Sequence, residues 1–276
     1  MSGPGEGREA ARQFAGAVPD AYDTLLVPLI FEHYANDLAA RAAQLRPGAL
    51  LETAAGTGAV TRELSRQLPA GTHIVATDLN PPMLARAAAV GTAHPVAWQP
   101  ADAQQLPFDD GSFDVVLCQF GAMFFPDRPL AYREARRVLK AGGTLLFNVW
   151  DALSANAFAQ TVTDALAGVY PADPPRFMER VPHGYFDTSR IAADLRAAGF
   201  AATPAFEAVA GVSRADRAGT VASAYCQGTP MRAEIEGRGA PGLAAATLAC
   251  ERLLAARYGD GPVEGAMRAI VVAIRA

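Results

Sequence analysis

The segment Leu50–Gly58, LLETAAGTG, followed twenty residues later by Asp78 in HIVATDLNPPML, constrains the fold of this chain more than any other feature. An apolar run that enters closely spaced glycines reads as a buried strand turning tightly into a helix. The second apolar run ends in a carboxylate. An open α/β sheet builds a nucleoside pocket from these parts. Amides around Gly56 and Gly58 suit an anion at the helix N-terminus, and Asp78 offers two oxygens to a pair of ribose hydroxyls.

The rest of the chain extends that pattern. Strands are predicted at Ala49–Thr53, His73–Thr77, Pro95–Gln99, Phe113–Cys118 and Thr144–Trp150, with helices at Ala59–Leu68, Pro81–Ala89 and Pro129–Leu139 between them. Ala141–Gly143 is read as ending the last helix and launching the fifth strand. Alternating strands and helices predict parallel strands joined by right-handed crossovers. Upstream, Asp20–Leu45 carries apolar residues at helical spacing and reads as one or two helices, and the small-residue opening 1–12 reads as a disordered tail. Beyond Asp151 the rhythm changes: a helix near Ala155–Val169 runs into the proline-rich stretch Pro171–Pro182, a natural cap over a ligand. Helix Thr188–Ala198 and strands near Ala205–Val212 and Ala266–Ile274 complete the sheet, and the mostly helical Ala215–Tyr258 reads as more cap. The expected organisation is one domain over 13–276: N-terminal helices (13–48), a cofactor-binding core (49–150), cap insertions (151–186 and 214–261) and sheet completion (187–213 and 262–276).

Composition limits the partners. With 276 residues, 51% of them hydrophobic, 19% charged and a net charge of -4, the chain has material for a large core and no basic field for nucleic acid. Cys118, Cys226 and Cys250 lie far apart, outside any zinc-type spacing, which suits reduced thiols in cytoplasm. The start lacks a basic region followed by an apolar run, and no stretch reaches the roughly 18 apolar residues of a spanning helix, so membrane association is not expected.

The choice of ribose ligand turns on a missing glycine. A dinucleotide site has a third glycine, whereas here the register Gly56-Thr57-Gly58-Ala59-Val60-Thr61 puts threonine there, and no Gly-Lys-Ser/Thr phosphate loop exists. A nicotinamide-dependent oxidoreductase remains the weaker alternative, because the single lysine, Lys140, forms no catalytic pair with a tyrosine. LLETAAGTGAVT, ATDLNPPML, PADAQQLPFDDGSFDVVLCQFGAMFFPD and EARRVLKAGGTLLFNVW, in this order, resemble the class I S-adenosylmethionine-dependent methyltransferases, in particular the ubiquinone and menaquinone C-methyltransferase-like small-molecule branch. The resemblance covers residues 20 to 150 well and the remainder loosely. It departs at Ala54, where the class usually has Gly, and at Ala55, where the branch often has Cys.

The resemblance implies a Rossmann-like, doubly wound α/β fold with a seven-stranded, mostly parallel sheet whose last strand is antiparallel. It implies S-adenosyl-L-methionine as cofactor. Ala54, Gly56 and Gly58 would meet its methionine part through the backbone, with Thr57 of the same turn also at the cofactor, Asp78 would meet the ribose, Leu79 and Met83 the adenine faces, and Asp102 and Ala103 the adenine edge. Gln119 and Phe120 would border the reacting methyl, and Glu52 either orients the amino group or satisfies the loop. A protein of this fold that binds the cofactor without transferring methyl is a further alternative. The acceptor expected is a small apolar or aromatic metabolite methylated at O, C or N.

Methyl transfer needs the acceptor held in line behind the methyl, with water excluded, and no nucleophilic side chain. A general base helps a hydroxyl or acidic carbon, and His183, His33 and Tyr22 are the candidates. Met123, Phe124, Trp150, Phe158, Phe177 and Tyr185 are candidate walls of an apolar acceptor pocket. Carboxylates are not placed after the fourth strand as a metal-dependent variant would need, so no metal is expected.

Overall fold

The computed structural model describes residues 22–276. The expected tail, and the start of the first predicted helix at Asp20, lie outside them. Seven strands form one sheet in the order β3-β2-β1-β4-β5-β7-β6, with β1 Ala49–Glu52, β2 His73–Asp78, β3 Ala97–Pro100, β4 Phe113–Gln119, β5 Leu139–Trp150, β6 Ala205–Ala215 and β7 Val263–Arg275. Strands β1 to β5 pair in parallel and β7 runs antiparallel to both its neighbours. This is the doubly wound Rossmann-like α/β architecture that the motifs implied.

Side-chain alternation explains why β1 and β4 are continuous apolar runs. Leu50, Val115 and Leu117 point to one face, among Leu38 and Ala42 of helix α1 (Glu32–Gln44) and Val60 and Leu64 of α2 (Ala59–Gln67). Leu51, Val116 and Cys118 point to the other, among Tyr132 and Val138 of α4 (Arg128–Val138). A strand covered on both faces is apolar through its middle, and the polar residues Glu52, Asp114 and Gln119 fall at or next to the strand ends. The crossover helix α3 (Pro81–Val90) joins β2 to β3. The strand order reverses between β1 and β4, and a crevice opens at that point outside the carboxyl ends of the strands.

Several boundaries differ from expectation for local reasons. Tyr22–Phe31 is π-wound, with Pro28 inside it, and α1 begins only at Glu32. Helix α4 stops at Val138 because Leu139 is already extended. Strand β5 starts there, and the register jumps from Phe113 opposite Leu139 to Val115 opposite Thr144, so Ala141–Gly143 forms a bulge rather than a helix cap. The later segments are helical: α5 (Ala157–Val169), a short α6 (Phe177–Arg180), α7 (Thr188–Ala197), α8 (Ala218–Gln227), α9 (Met231–Gly237) and α10 (Leu243–Tyr258). Helix α8 packs against the π-wound segment, and α5 packs on β7 and α10. Among the described residues no helix is long and apolar enough to cross a membrane.

Candidate active site

The turn after β1 is built from left-handed backbone. Ala54 (φ 54°), Gly56 (φ 56°) and Gly58 (φ 81°) fall within five residues. Gly58 is required twice over, because a Cβ there would stand 3.0 Å from the Trp98 ring and 3.1 Å from the Ala87 side chain. It lets α2 approach its neighbours and does not line the cavity described below. Asp78 locks the turn: its Oδ2 accepts the Gly56 amide at 2.8 Å and its Oδ1 the Asn80 amide at 2.8 Å. Burial pushes the Asp78 carboxyl above its usual range, against the pull of these amides.

Beneath the turn, Thr61 donates its hydroxyl to Glu52 at 2.6 Å. The threonine that replaces the third glycine therefore holds a buried carboxyl. Burial pushes Glu52 up to about 8, with the Thr61 hydrogen bond opposing. Across the switch point Phe120 is left-handed (φ 50°), its amide held by the Asn148 Oδ1 at 2.9 Å. A Cβ on Gly121 would lie 2.5 Å from the Ala54 Cβ and 2.7 Å from the Cys118 Sγ, so the loops after β1 and β4 touch at a glycine.

These loops enclose a cavity of about 800 Å³ whose walls include Ala54, Gly56, Asp78, Leu79, Met83, Asp102, Ala103, Gln119 and Phe120. Glu52 and Thr57 line a recess of about 310 Å³ that shares Ala54, Gly56 and Gln119 with it. All the residues expected at the cofactor are thus brought together except Gly58. Leu79 is 41% exposed at the rim, and Met83 is buried. Asp102 turns back on itself, accepting the Gln104 amide at 2.9 Å.

A second chamber of about 720 Å³ adjoins the first, with Tyr22, Phe120 and Phe124 in both walls. Trp150 lies flat on Phe120, ring centres 4.0 Å apart and planes 8° from parallel. Of the expected wall residues, Phe124, Trp150, Phe158 and Phe177 line this chamber. Met123 and Tyr185 do not: both are buried elsewhere, the Tyr185 hydroxyl donating to Asp194 at 2.7 Å with the Arg128 guanidinium 4.3 Å above its ring.

The three candidate bases separate. His33 packs beside Gly211 on β6, its Nε2 3.2 Å from the Ala210 carbonyl, outside both chambers. Tyr22 lines both chambers and the recess, and its phenol is pushed up mainly by burial, then by Asp78. His183 lines the apolar chamber. The turn after α6 places it, with the His183 amide on the Met178 carbonyl and Gly184 where a Cβ would stand 2.2 Å from the Arg180 carbonyl. Sequence reasoning read Thr61 only as a missing glycine and passed over Gly121 and Tyr225. The first occupies a dinucleotide-motif position, the second follows a strand end, and the third lies in a small-residue helix with no signal of its own.

A doubly wound sheet with a carboxylate-locked glycine turn at its switch point defines a nucleoside-binding α/β protein. Residues 51–147 match the family described as "Methyltransferase domain". The chain is 34% identical over 145 residues to the ubiquinone/menaquinone biosynthesis C-methyltransferase UbiE of Geobacter sp. (strain M21), covering 50% of this chain and 62% of that protein. It is 39% identical over 101 residues to the protein of the same name from Idiomarina loihiensis, covering 35% and 40%. In both cases the match spans less than two thirds of the relative. The YcgJ protein of Bacillus subtilis superposes with a TM-score of 0.55 at 19% identity, covering 88% of this chain and 98% of that one, which is a likeness of fold. Residues 51–147 thus carry the methyltransferase-domain match, and the likeness to these relatives supports the class I, S-adenosylmethionine-dependent kind.

The residues present fit that cofactor. The Gln119 Oε1 and the Thr57 Oγ1 are buried without a hydrogen-bond partner, a cost of about 1–3 kcal/mol each that a bound polar group removes. The Gln119 oxygen, on the wall shared by cavity and recess, is an acceptor for an ammonium. Glu52 in the recess supplies a carboxyl that a nearby cation favours in its ionised form.

Proposed function

We propose that the protein transfers a methyl group from S-adenosylmethionine to a small, apolar or aromatic acceptor, with the cofactor in the 800 Å³ cavity and the acceptor in the adjoining 720 Å³ chamber. The observation that carries this reading is the shared wall of Tyr22, Phe120 and Phe124, which brings a polar nucleoside cavity and an apolar chamber to one boundary. When bound, the cofactor supplies an electrophilic methyl on a sulfonium. Asp78 lines the cavity with a carboxylate suited to a vicinal diol, and Asp102 and Ala103 offer a carboxylate and a backbone amide to a base edge. Gln119 and Glu52 hold the positive amino end.

The aromatic boundary does the remaining work: Phe120 and Trp150 form a flat stack against which an acceptor lies, and Tyr22 closes over both chambers. Holding two reactants in line in a dry site removes much of the entropic and solvent-reorganisation part of the barrier. The helices after Asp151 supply a cap over that chamber, through Phe158 of α5, Phe177 of α6 and Tyr225 of α8. A panel of uncharged aromatic acceptors with the cofactor labelled at its methyl group tests the reading. Label should move to an organic-soluble product. Label that stays on a bound cofactor in every case points instead to a binding protein of the same fold.

A further inference from the structure

The apolar chamber holds more chemistry than its aromatic walls. Among the described residues, none that lines it is charged. An ionic acceptor would be buried there without a counter-ion, at a cost of several kcal/mol. Apart from Tyr22 and Trp150 at the shared wall and the stack, its polar side chains divide into two groups. Asn156, Ser213 and Thr229 are committed to backbone: the Asn156 amide nitrogen donates to the Asp151, Ala152 and Arg268 carbonyls, the Ser213 hydroxyl to Leu29 at 2.8 Å and the Thr229 hydroxyl to Tyr225 at 2.7 Å. His183 and Tyr225 each keep one hydrogen-bonding atom for the chamber. The His183 Nδ1 is 2.8 Å from the Asp151 carbonyl, so it carries the proton and donates it, leaving Nε2 as a bare acceptor. Neither Nε2 nor the Tyr225 hydroxyl meets a hydrogen-bonding partner among the described residues, although both side chains line the chamber.

We infer that the chamber takes an uncharged hydroxyarene, whose O–H donates to the His183 Nε2 and whose oxygen receives the methyl group. The inference rests on the reading given under Proposed function and deepens it from an apolar acceptor at O, C or N to a neutral phenol at oxygen. Burial holds His183 at about 4, so its imidazole is neutral at physiological pH and ready to accept. The groups that face it are Asp151 at the end of β5, paired through Oδ2 with Arg268 of β7 at 2.6 Å, and the Trp150 ring 5.9 Å away. As the acceptor oxygen forms its bond to the methyl carbon, its proton passes to Nε2 and the departing sulfur keeps the electron pair of the broken C–S bond. The imidazolium then has the Asp151 carbonyl on Nδ1 and the Asp151 carboxylate nearby until product release returns the proton to solvent. Tyr225 is placed to donate to a second oxygen of the acceptor.

The test uses 2-naphthol, naphthalene and 2-naphthoate as probes, titrated by tryptophan fluorescence into the full chain saturated with S-adenosylhomocysteine, so that binding is read without turnover. The expected result is 2-naphthol binding at least tenfold tighter than naphthalene and at least tenfold tighter than 2-naphthoate. His183→Phe should erase the preference over naphthalene, with affinity for S-adenosylhomocysteine within twofold of the parent. His183→Gln, which keeps an acceptor oxygen, should retain part of it. With S-adenosylmethionine the product from 2-naphthol should be 2-methoxynaphthalene. Naphthalene or naphthoate binding as tightly as naphthol, no binding of any probe, an unchanged preference in His183→Phe, or a ring-methylated product would each overturn the inference. Should His183→Phe not fold, the three probes on the parent protein decide alone. Failure to bind S-adenosylhomocysteine would strike the proposed function instead, before any probe is added.

Discussion

The two chambers that meet at Tyr22, Phe120 and Phe124 are built on opposite plans. The cofactor cavity is made of loop backbone at strand ends, held by carboxylates: Asp78 pins the Gly56 and Asn80 amides, and Glu52 sits beneath the turn on Thr61. The acceptor chamber is made of large apolar side chains from β5, β7, α5, α6, α8 and the π-wound segment, with no charge among the described residues that line it. The difference teaches how two kinds of recognition are built. A fixed ligand with many polar atoms is met by backbone geometry, whereas a ligand that must lie flat behind a methyl group is met by shape.

The largest effect that separates the two plans is expected from Phe158→Ala. Phe158 is buried and packs edge-on against Tyr258, ring centres 5.1 Å apart. Its loss should cost about 3–5 kcal/mol of stability in urea unfolding, as for other buried aromatics cut to alanine. Affinity for S-adenosylhomocysteine should stay within twofold. An equal loss of cofactor affinity would mean that the chambers do not act as separate units.

The chambers should also respond oppositely to pH. Glu52 is held protonated in the folded protein up to about 8, so stability falls as pH rises from 4.5, where the unfolded carboxyl ionises, to about 8. His183 is held neutral down to about 4, so stability falls as pH drops from 6.5, where the unfolded imidazole gains its proton, to about 4. The swing is on the order of 5 kcal/mol for Glu52 and 3 kcal/mol for His183. Unfolding free energies across pH should show Glu52→Gln losing the alkaline decline and His183→Gln the acidic one. A curve unchanged in both variants would refute the two buried environments.

A smaller effect is expected at the seam. Gly121→Ala drives a methyl into the Ala54 and Cys118 side chains, and the loops after β1 and β4 must separate. Stability should fall by about 1–3 kcal/mol, the usual range for overpacking. Affinity for S-adenosylhomocysteine should fall with it, because both loops line the cofactor cavity.

The same contrast explains what could be read from the sequence. The residues that line the 800 Å³ cavity, the proposed cofactor site, were legible because they follow strands β1 to β4 in short blocks, so that LLETAAGTG, ATDLNPPML and CQFG each deliver one wall. The exception, Gly58, shows the limit of a motif. Its glycine is needed for the Trp98 and Ala87 contacts, a requirement of packing that the spacing cannot distinguish from one of ligand approach. The acceptor chamber was legible only as a collection of aromatics. Phe158 and Phe177 turned inward to it, whereas Tyr185 found Asp194 on α7 and Met123 turned into the core, outcomes set by tertiary neighbours that periodicity does not encode. Tyr225 was invisible for the same reason: a tyrosine among the alanines and other small residues of α8 reads as core until the sheet and the π-wound segment are placed around it.

The carboxylate lock at the switch point underlies the whole account, and isothermal titration of S-adenosylhomocysteine into the parent protein and into Asp78→Ala tests it most directly. The account predicts saturable binding at one site per chain in the parent, weakened by about 1–3 kcal/mol in the variant through loss of hydrogen bonds to a charged acceptor. Absence of binding in the parent, or equal affinity in Asp78→Ala, would contradict it.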